Sequence, residues 1–250
     1  MIHSEINETI DAETVGSVAA KDYRKAEIFK KLGIDFCCGG NTTLKKASEE
    51  AGISEEELRS QLAACDLFQR KTFSQDFNKW KLDFLTDYII NTHHLYIKEN
   101  VPVISDMALK VATHHEKNHP ELTNLQINIR RFLEDMLSHM KKEEQALFPK
   151  IKQLVSNKNN AGEKVSLQAG CVKSAVWAMQ REHETSGEDL QFFRKLTHDY
   201  LLPEDACNSY KFLFEKMKEF EEDLIQHIHL ENNILFPKAV QLEEDLVRKN

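Results

Sequence analysis

His139 and Glu143 stand four residues apart, and so do His227 and Glu231. At 3.6 residues per helical turn, such a pair shares one face. The surroundings repeat as well. Phe132-x3-Met136-x2-His139-x3-Glu143-x3-Leu147-Phe148-Pro149-Lys150 aligns with Phe220-x3-Leu224-x2-His227-x3-Glu231-x3-Leu235-Phe236-Pro237-Lys238 at a constant offset of 88 residues. Phe132, Met136 and Leu147 in one copy, and Phe220, Leu224 and Leu235 in the other, make that face the apolar one. Both His/Glu pairs are thereby directed into a core, where an unpaired polar group costs several kcal/mol, about 2–7. A pair of metal ions removes that cost, because facing helices of a bundle can offer inward His and Glu to two metals at once. Upstream of each pair stands a further histidine, His183 in the second copy and His94 or its neighbour His93 in the first; spacing slightly favours His94. Four imidazoles, two bridging carboxylates and one bridging oxo or hydroxo group leave about one open position on each of two octahedral metals; imidazole with carboxylate suits iron or manganese better than the thiolate sets of structural zinc, and an oxygen-rich bridge favours iron.

A second chemical feature is Asp35-Phe36-Cys37-Cys38-Gly39-Gly40-Asn41, adjacent thiols on a glycine turn just ahead of a helix that Asn41 would cap over residues 42–51. A thiol near a helix N-terminus is expected to have its pKa lowered, which suits redox chemistry or a soft metal. The paired glycines allow another backbone to come close. The other three cysteines, Cys65, Cys171 and Cys207, read as core. His115-Glu116-Lys117-Asn118-His119 matches a zinc-protease pattern, but its polar surroundings and Pro120 point to a helix end. The remaining histidines, His3, His114, His115, His119, His198 and His229, carry no role in this reading.

The elements that must position these groups are helices. Gly and Pro number only 8 and 5 in 250 residues, too few for the turns of a many-stranded β protein. Apolar residues recur at helical spacing over about 79–116, 124–155, 166–198 and 205–246, with Pro102 expected to kink or break the first segment. Short links near 156–164 and 201–203 favour antiparallel neighbours. Ahead of them lies a block of short helices, one begun by the capping box Ser54/Glu57, and the polar stretch 66–78 marks a boundary. The predicted architecture is all-α, with a small helical domain over 1–75 and an antiparallel four-helix bundle over 76–250. The bundle is a duplicated helical hairpin. A net charge of −8 argues against nucleic acid. No apolar run is long enough for a membrane span, and five sparse cysteines do not describe a secreted disulfide framework, so the chain reads as cytoplasmic.

These motifs resemble the RIC (repair of iron centres) family, whose members join a small helical domain to a hemerythrin-like bundle. The resemblance rests on Leu32-Gly33-Ile34-Asp35-Phe36-Cys37-Cys38-Gly39-Gly40, on His139 through Pro149, and on His227 through Pro237. It implies His94, His139, His183 and His227 as terminal ligands and Glu143 and Glu231 as bridges. Glu99-Asn100-Val101-Pro102 matches the family's Glu-x-x-Pro and selects His94 over His93. The family match further implies two irons per chain, oxo- or hydroxo-bridged. The implied function is repair of iron–sulfur clusters damaged by oxidative or nitrosative stress, by iron donation or by removal of nitric oxide. Cys37 and Cys38 would act in thiol redox chemistry or iron transfer. Implied partners are damaged iron–sulfur proteins, with nitric oxide or oxygen as small ligand and a second copy in a homodimer. Oxygen-carrying hemerythrin has a further histidine four residues after its third-helix ligand; Gly187 stands there, so reversible oxygen carriage is not expected. The alternatives are a di-iron oxygen or nitric oxide sensor, and a nitric oxide or peroxide reductase.

Overall fold

The structure is a computed structural model that describes residues 13–67, 76–159 and 169–248. It is all-α, and the chain divides into two compact units after Asn78. Most of the polar stretch 66–78, most of the link near 156–164, and His3 lie outside the described residues.

The first unit holds α1 (Val15–Lys21), α2 (Ala26–Lys31), α3 (Leu44–Glu50) and α4 (Glu55–Leu67). Thr14 caps α1 in a reciprocal box with Ser17. Ser54 Oγ accepts from Glu57 N at 3.1 Å, which starts α4 where the sequence places it. Helix α3 begins two residues later than expected, capped by Thr43 rather than Asn41. The cause is a competing backbone pairing. Thr42 O accepts from Val15 N at 2.9 Å and Glu13 O from Leu44 N at 3.1 Å, which hold Thr43 extended in a bridge to Thr14. Val15, Phe29, Leu44 and Leu58 fill the core of this unit.

The second unit is four helical rods spanning residues 82–115, 121–159, 171–196 and 208–248. The first comprises α5 (Leu82–Ile89), the π turn Ile90–His94 and α6 (Leu95–His115). The second comprises α7 (Glu121–Lys142), the π turn Glu143–Leu147 and α8 (Phe148–Asn159). The third is α9 (Cys171–Leu196). The fourth comprises α10 (Asn208–Leu230), the π turn Glu231–Leu235 and α11 (Phe236–Arg248). Helix α6 packs on α7 and α10, α7 on α9, and α11 on α8 and α9. Pro102 does not break its rod. The Lys98 carbonyl that loses its amide partner there belongs to an exposed turn, where solvent can satisfy it. No helix among the described residues is long and apolar enough to cross a membrane.

The core beneath the repeat is aromatic. Phe132 meets Phe193 edge to face at 5.4 Å between centroids and Phe220 at 6.1 Å. These rings come from α7, α9 and α10, so they fix the registry of three rods around the polar face above them. Three π turns interrupt the rods, and each contains a residue that the sequence marked: His94, Glu143 and Glu231. A π turn adds one residue to a helical turn and rotates the residues beyond it, a distortion that concentrates at functional sites. The last two lie 88 residues apart, so the distortion is duplicated with the sequence.

Candidate metal centre

Six side chains converge in the bundle interior. His94 comes from the first rod, His139 and Glu143 from the second, His183 from the third, and His227 and Glu231 from the fourth; all six are buried. They form two groups that share both carboxylates: His94, His227, Glu143 and Glu231 in one, His139, His183, Glu143 and Glu231 in the other. Each carboxylate directs one oxygen to each group. Glu143 Oε2 lies 3.4 Å from His94 Nε2, and Glu143 Oε1 lies 3.4 Å from His139 Nε2. Glu231 Oε1 lies 3.1 Å from His227 Nε2, and Glu231 Oε2 lies 3.3 Å from His183 Nε2. Across each group the imidazoles face one another, His94 Nε2 to His227 Nε2 at 3.1 Å and His139 Nε2 to His183 Nε2 at 2.9 Å.

The outer ring nitrogens explain why the inner ones point in. His94 Nδ1 donates to Glu144 Oε1 at 2.8 Å, His139 Nδ1 to Glu182 Oε2 at 2.9 Å, and His183 Nδ1 to Asn232 Oδ1 at 2.9 Å. A carboxylate or amide oxygen can only accept, so these three imidazoles carry hydrogen on Nδ1 and present Nε2 to the centre. Lys98 and Lys142 hold the two outer carboxylates, each at 2.7 Å.

This environment needs positive charge. Glu143 and Glu231 have no exposed surface, and none of their four oxygens has a well-formed hydrogen bond among the described residues. Burial pushes both carboxyls up, yet the surrounding histidines more than reverse it, leaving Glu143 below its ordinary value and Glu231 well below. Burial likewise pulls His139 down, and Glu143 and Glu182 carry it up to about 10. His94 is also raised on balance, whereas His227 stays lowered because burial outweighs Glu231. Without a metal, protons on imidazole neutralise the two carboxylates. A cation entering here releases protons and supplies the same charge to all six groups, so the donor set fits a metal pair.

Glu182 carries a pH signature. Its bond to His139 lowers its pKa from 4.5 to about 2, with Lys142 adding to the effect against partial burial. A depressed carboxyl stabilises the fold above its unfolded value and loses that contribution as pH falls toward its folded one. Metal-free protein should therefore lose stability between about pH 4.5 and 2, and Glu182→Gln should flatten that limb in acid titrations followed by helical signal.

The cysteine turn belongs to the first unit. Asp35 Oδ1 accepts from Cys37 N and Cys38 N, both at 3.0 Å, and from Cys37 Sγ at 3.2 Å; the two sulfurs are 3.8 Å apart. The expected lowering of thiol pKa does not occur at Cys37. The Cys38 thiol, burial and the Asp35 carboxylate push it well up, and the helix begins only at Leu44, too far on to act on the thiols. The close backbone approach is real: Gly16 N donates to Gly40 O at 2.9 Å. A Cβ at position 39 would stand 2.9 Å from the Asp35 carbonyl, which requires glycine there.

Two family profiles match the chain. Residues 11–66 match ScdA_N, a domain of unknown function, and residues 85–239 match the hemerythrin HHE cation binding domain. The chain is 33% identical over 231 residues to the iron-sulfur cluster repair protein YtfE of Yersinia pestis (strain Pestoides F), an alignment covering 92% of this chain and 98% of that protein. With the same coverage, the proteins of that name from Yersinia pseudotuberculosis are 33% identical in serotype O:1b (strain IP 31758) and 32% in serotype IB (strain PB1/+). The chain belongs to the RIC family.

In this RIC protein, Glu144, Glu182 and His93 bond to or stack on histidines of the centre. Glu144 and Glu182 sit next to proposed ligands in the chain and serve histidines on other rods. His93 is buried, bonds Asp223 Oδ1 at 2.9 Å through Nδ1, and lies parallel to His227 at 5.7 Å between ring centroids. His229 is buried and accepts from Asn233 at 3.0 Å, and burial pushes it down to about 4. The repeat offset was the available signal, since it maps Glu144 onto Asn232. Cys65, Cys171 and Cys207 are not core: all three are half-buried, and Cys207 stands at the N-cap of α10 with its sulfur 3.2 Å from His115 Nε2.

Proposed function

We propose that this chain is a di-iron protein that repairs iron–sulfur clusters damaged by oxidative or nitrosative stress. The observation that carries the reading is the pair of buried carboxylates, each aimed by its two oxygens at two opposed imidazole groups. His94 and His227 would hold one iron, His139 and His183 the other, with Glu143 and Glu231 bridging and an oxo or hydroxo group completing the pair. When bound, the irons supply exchangeable metal, one-electron chemistry and an open position for a small ligand such as nitric oxide or oxygen. The chain's own part is electrostatic and positional: Glu144, Glu182 and Asn232 orient imidazoles, and the aromatic layer of Phe132, Phe193 and Phe220 excludes water from below. Cys37 and Cys38 are assigned thiol redox chemistry or iron transfer; their proximity favours a shared role, and the raised Cys37 pKa means a base must first take its proton. The curated relatives are named for iron–sulfur cluster repair, and the match runs over nearly the whole chain. The clients are damaged iron–sulfur proteins, met in the cytoplasm, and the protein acts as a homodimer.

The test uses a cluster-containing dehydratase inactivated by nitric oxide in an extract lacking this protein. Iron-loaded protein should restore its activity, and Glu231→Ala protein should not. Recovery at the same rate with either, or with neither, would leave the sensor or reductase readings in possession.

A further inference from the structure

The four imidazoles are not equally supported. Three have an acceptor within 2.9 Å of Nδ1: a lysine-tied carboxylate for His94 and for His139, and an amide oxygen for His183. The fourth, His227, has none among the described residues, although its Nδ1 is wholly buried. The repeat locates the reason. Asn232 stands where Glu144 stands in the other half, so those two supports are related by duplication. The counterpart of Glu182, by the offset that relates His94 to His183, is His93. A histidine there cannot do what Glu182 does: its ring lies flat against His227, with an interplanar angle of 4°, and its Nδ1 is committed to Asp223. The duplicated centre has kept its inner ligands symmetrical and lost symmetry one layer out.

An acceptor on the outer nitrogen of a ligating imidazole fixes the ring and raises its basicity, and removing one costs roughly 10–100-fold in metal affinity. Resting on the di-iron reading above, we infer that the two positions hold iron unequally, and that the position between His94 and His227 is the one that surrenders its ion to a client. The position between His139 and His183 has both rings supported and keeps its metal. One chain can then give up an iron without dissolving the centre, because both carboxylates stay anchored on the retained ion.

The experiment is anaerobic release of ferrous iron from the full chain to an excess of a colorimetric ferrous chelator. The expected result is two phases of equal amplitude, with rates separated about tenfold or more. Three variants assign them. Glu182→Ala, which strips support from His139 at a partly exposed position, should accelerate the slow phase and leave the fast phase unchanged. Glu144→Ala should accelerate the fast phase further. His93→Glu, which restores a carboxylate where the repeat calls for one, should slow the fast phase toward the slow one. Release of both ions in one phase would overturn the inference, as would an effect of Glu182→Ala on the fast phase alone. Wild-type protein that binds fewer than two irons would instead sink the di-iron reading on which it rests.

Discussion

Replacing Glu143 or Glu231 with alanine should take the iron content from about two per chain to well below one. Each carboxylate serves both groups, with one oxygen toward each, so a single substitution removes a ligand from both positions. A histidine variant is the contrast. His227→Ala removes a ligand from one group only and should leave about one iron in the other. Loss at a carboxylate should exceed the roughly 100-fold that an outer partner alone contributes. The same positions matter to the metal-free fold. Lowered carboxyls at Glu143 and Glu231 and a raised His139 mark pairings that favour the charged forms, and removing one side of a buried charge pair costs up to about 3–5 kcal/mol. Metal-free Glu143→Gln/Glu231→Gln protein should accordingly be less stable than metal-free wild type in denaturant titrations at neutral pH. Equal stability would mean that the imidazoles do not neutralise these carboxylates.

The second large effect is on stability with metal. A ligand that binds only the folded state stabilises it by an amount that grows with the logarithm of its free concentration over its dissociation constant, about 4 kcal/mol at a thousand times that constant. For a domain of this size that is a rise in Tm on the order of 10 °C. Stripping iron with a chelator should lower the bundle's melting temperature by that amount and reloading should restore it, with the Glu143→Ala variant insensitive to both. Equal melting of loaded and stripped wild type would mean that the six side chains do not hold the metal.

The convergence of the six His and Glu side chains was legible in the sequence because duplication turns a weak signal into a strong one: one His-x3-Glu is common, and two inside matched apolar frames are not. Helicity, the bundle and its paired hairpins came from the same periodicity. Periodicity along one helix cannot carry the structure that escaped. Glu144 and Glu182 are rotated from the ligands beside them, as an ideal helix requires, and for that reason they reach histidines on neighbouring rods. The π turns at His94, Glu143 and Glu231 leave no residue-type signature, and each adds a residue at the point where an ideal wheel would assign faces. Asn41 lost its capping role to Thr43 through a backbone bridge with residues near 14, a contact remote in sequence. Cys37 looked activated by a helix terminus, yet its sulfur is buried against a carboxylate. Pro102 looked like a break, but its exposed turn lets the rod continue.

The most direct test of the central claim, that a duplicated hairpin builds one centre for two irons, is an anaerobic titration of metal-free full-length protein with ferrous iron. A break at two equivalents per chain is expected, abolished in Glu231→Ala. A break at one equivalent, or no saturable binding, would contradict the claim.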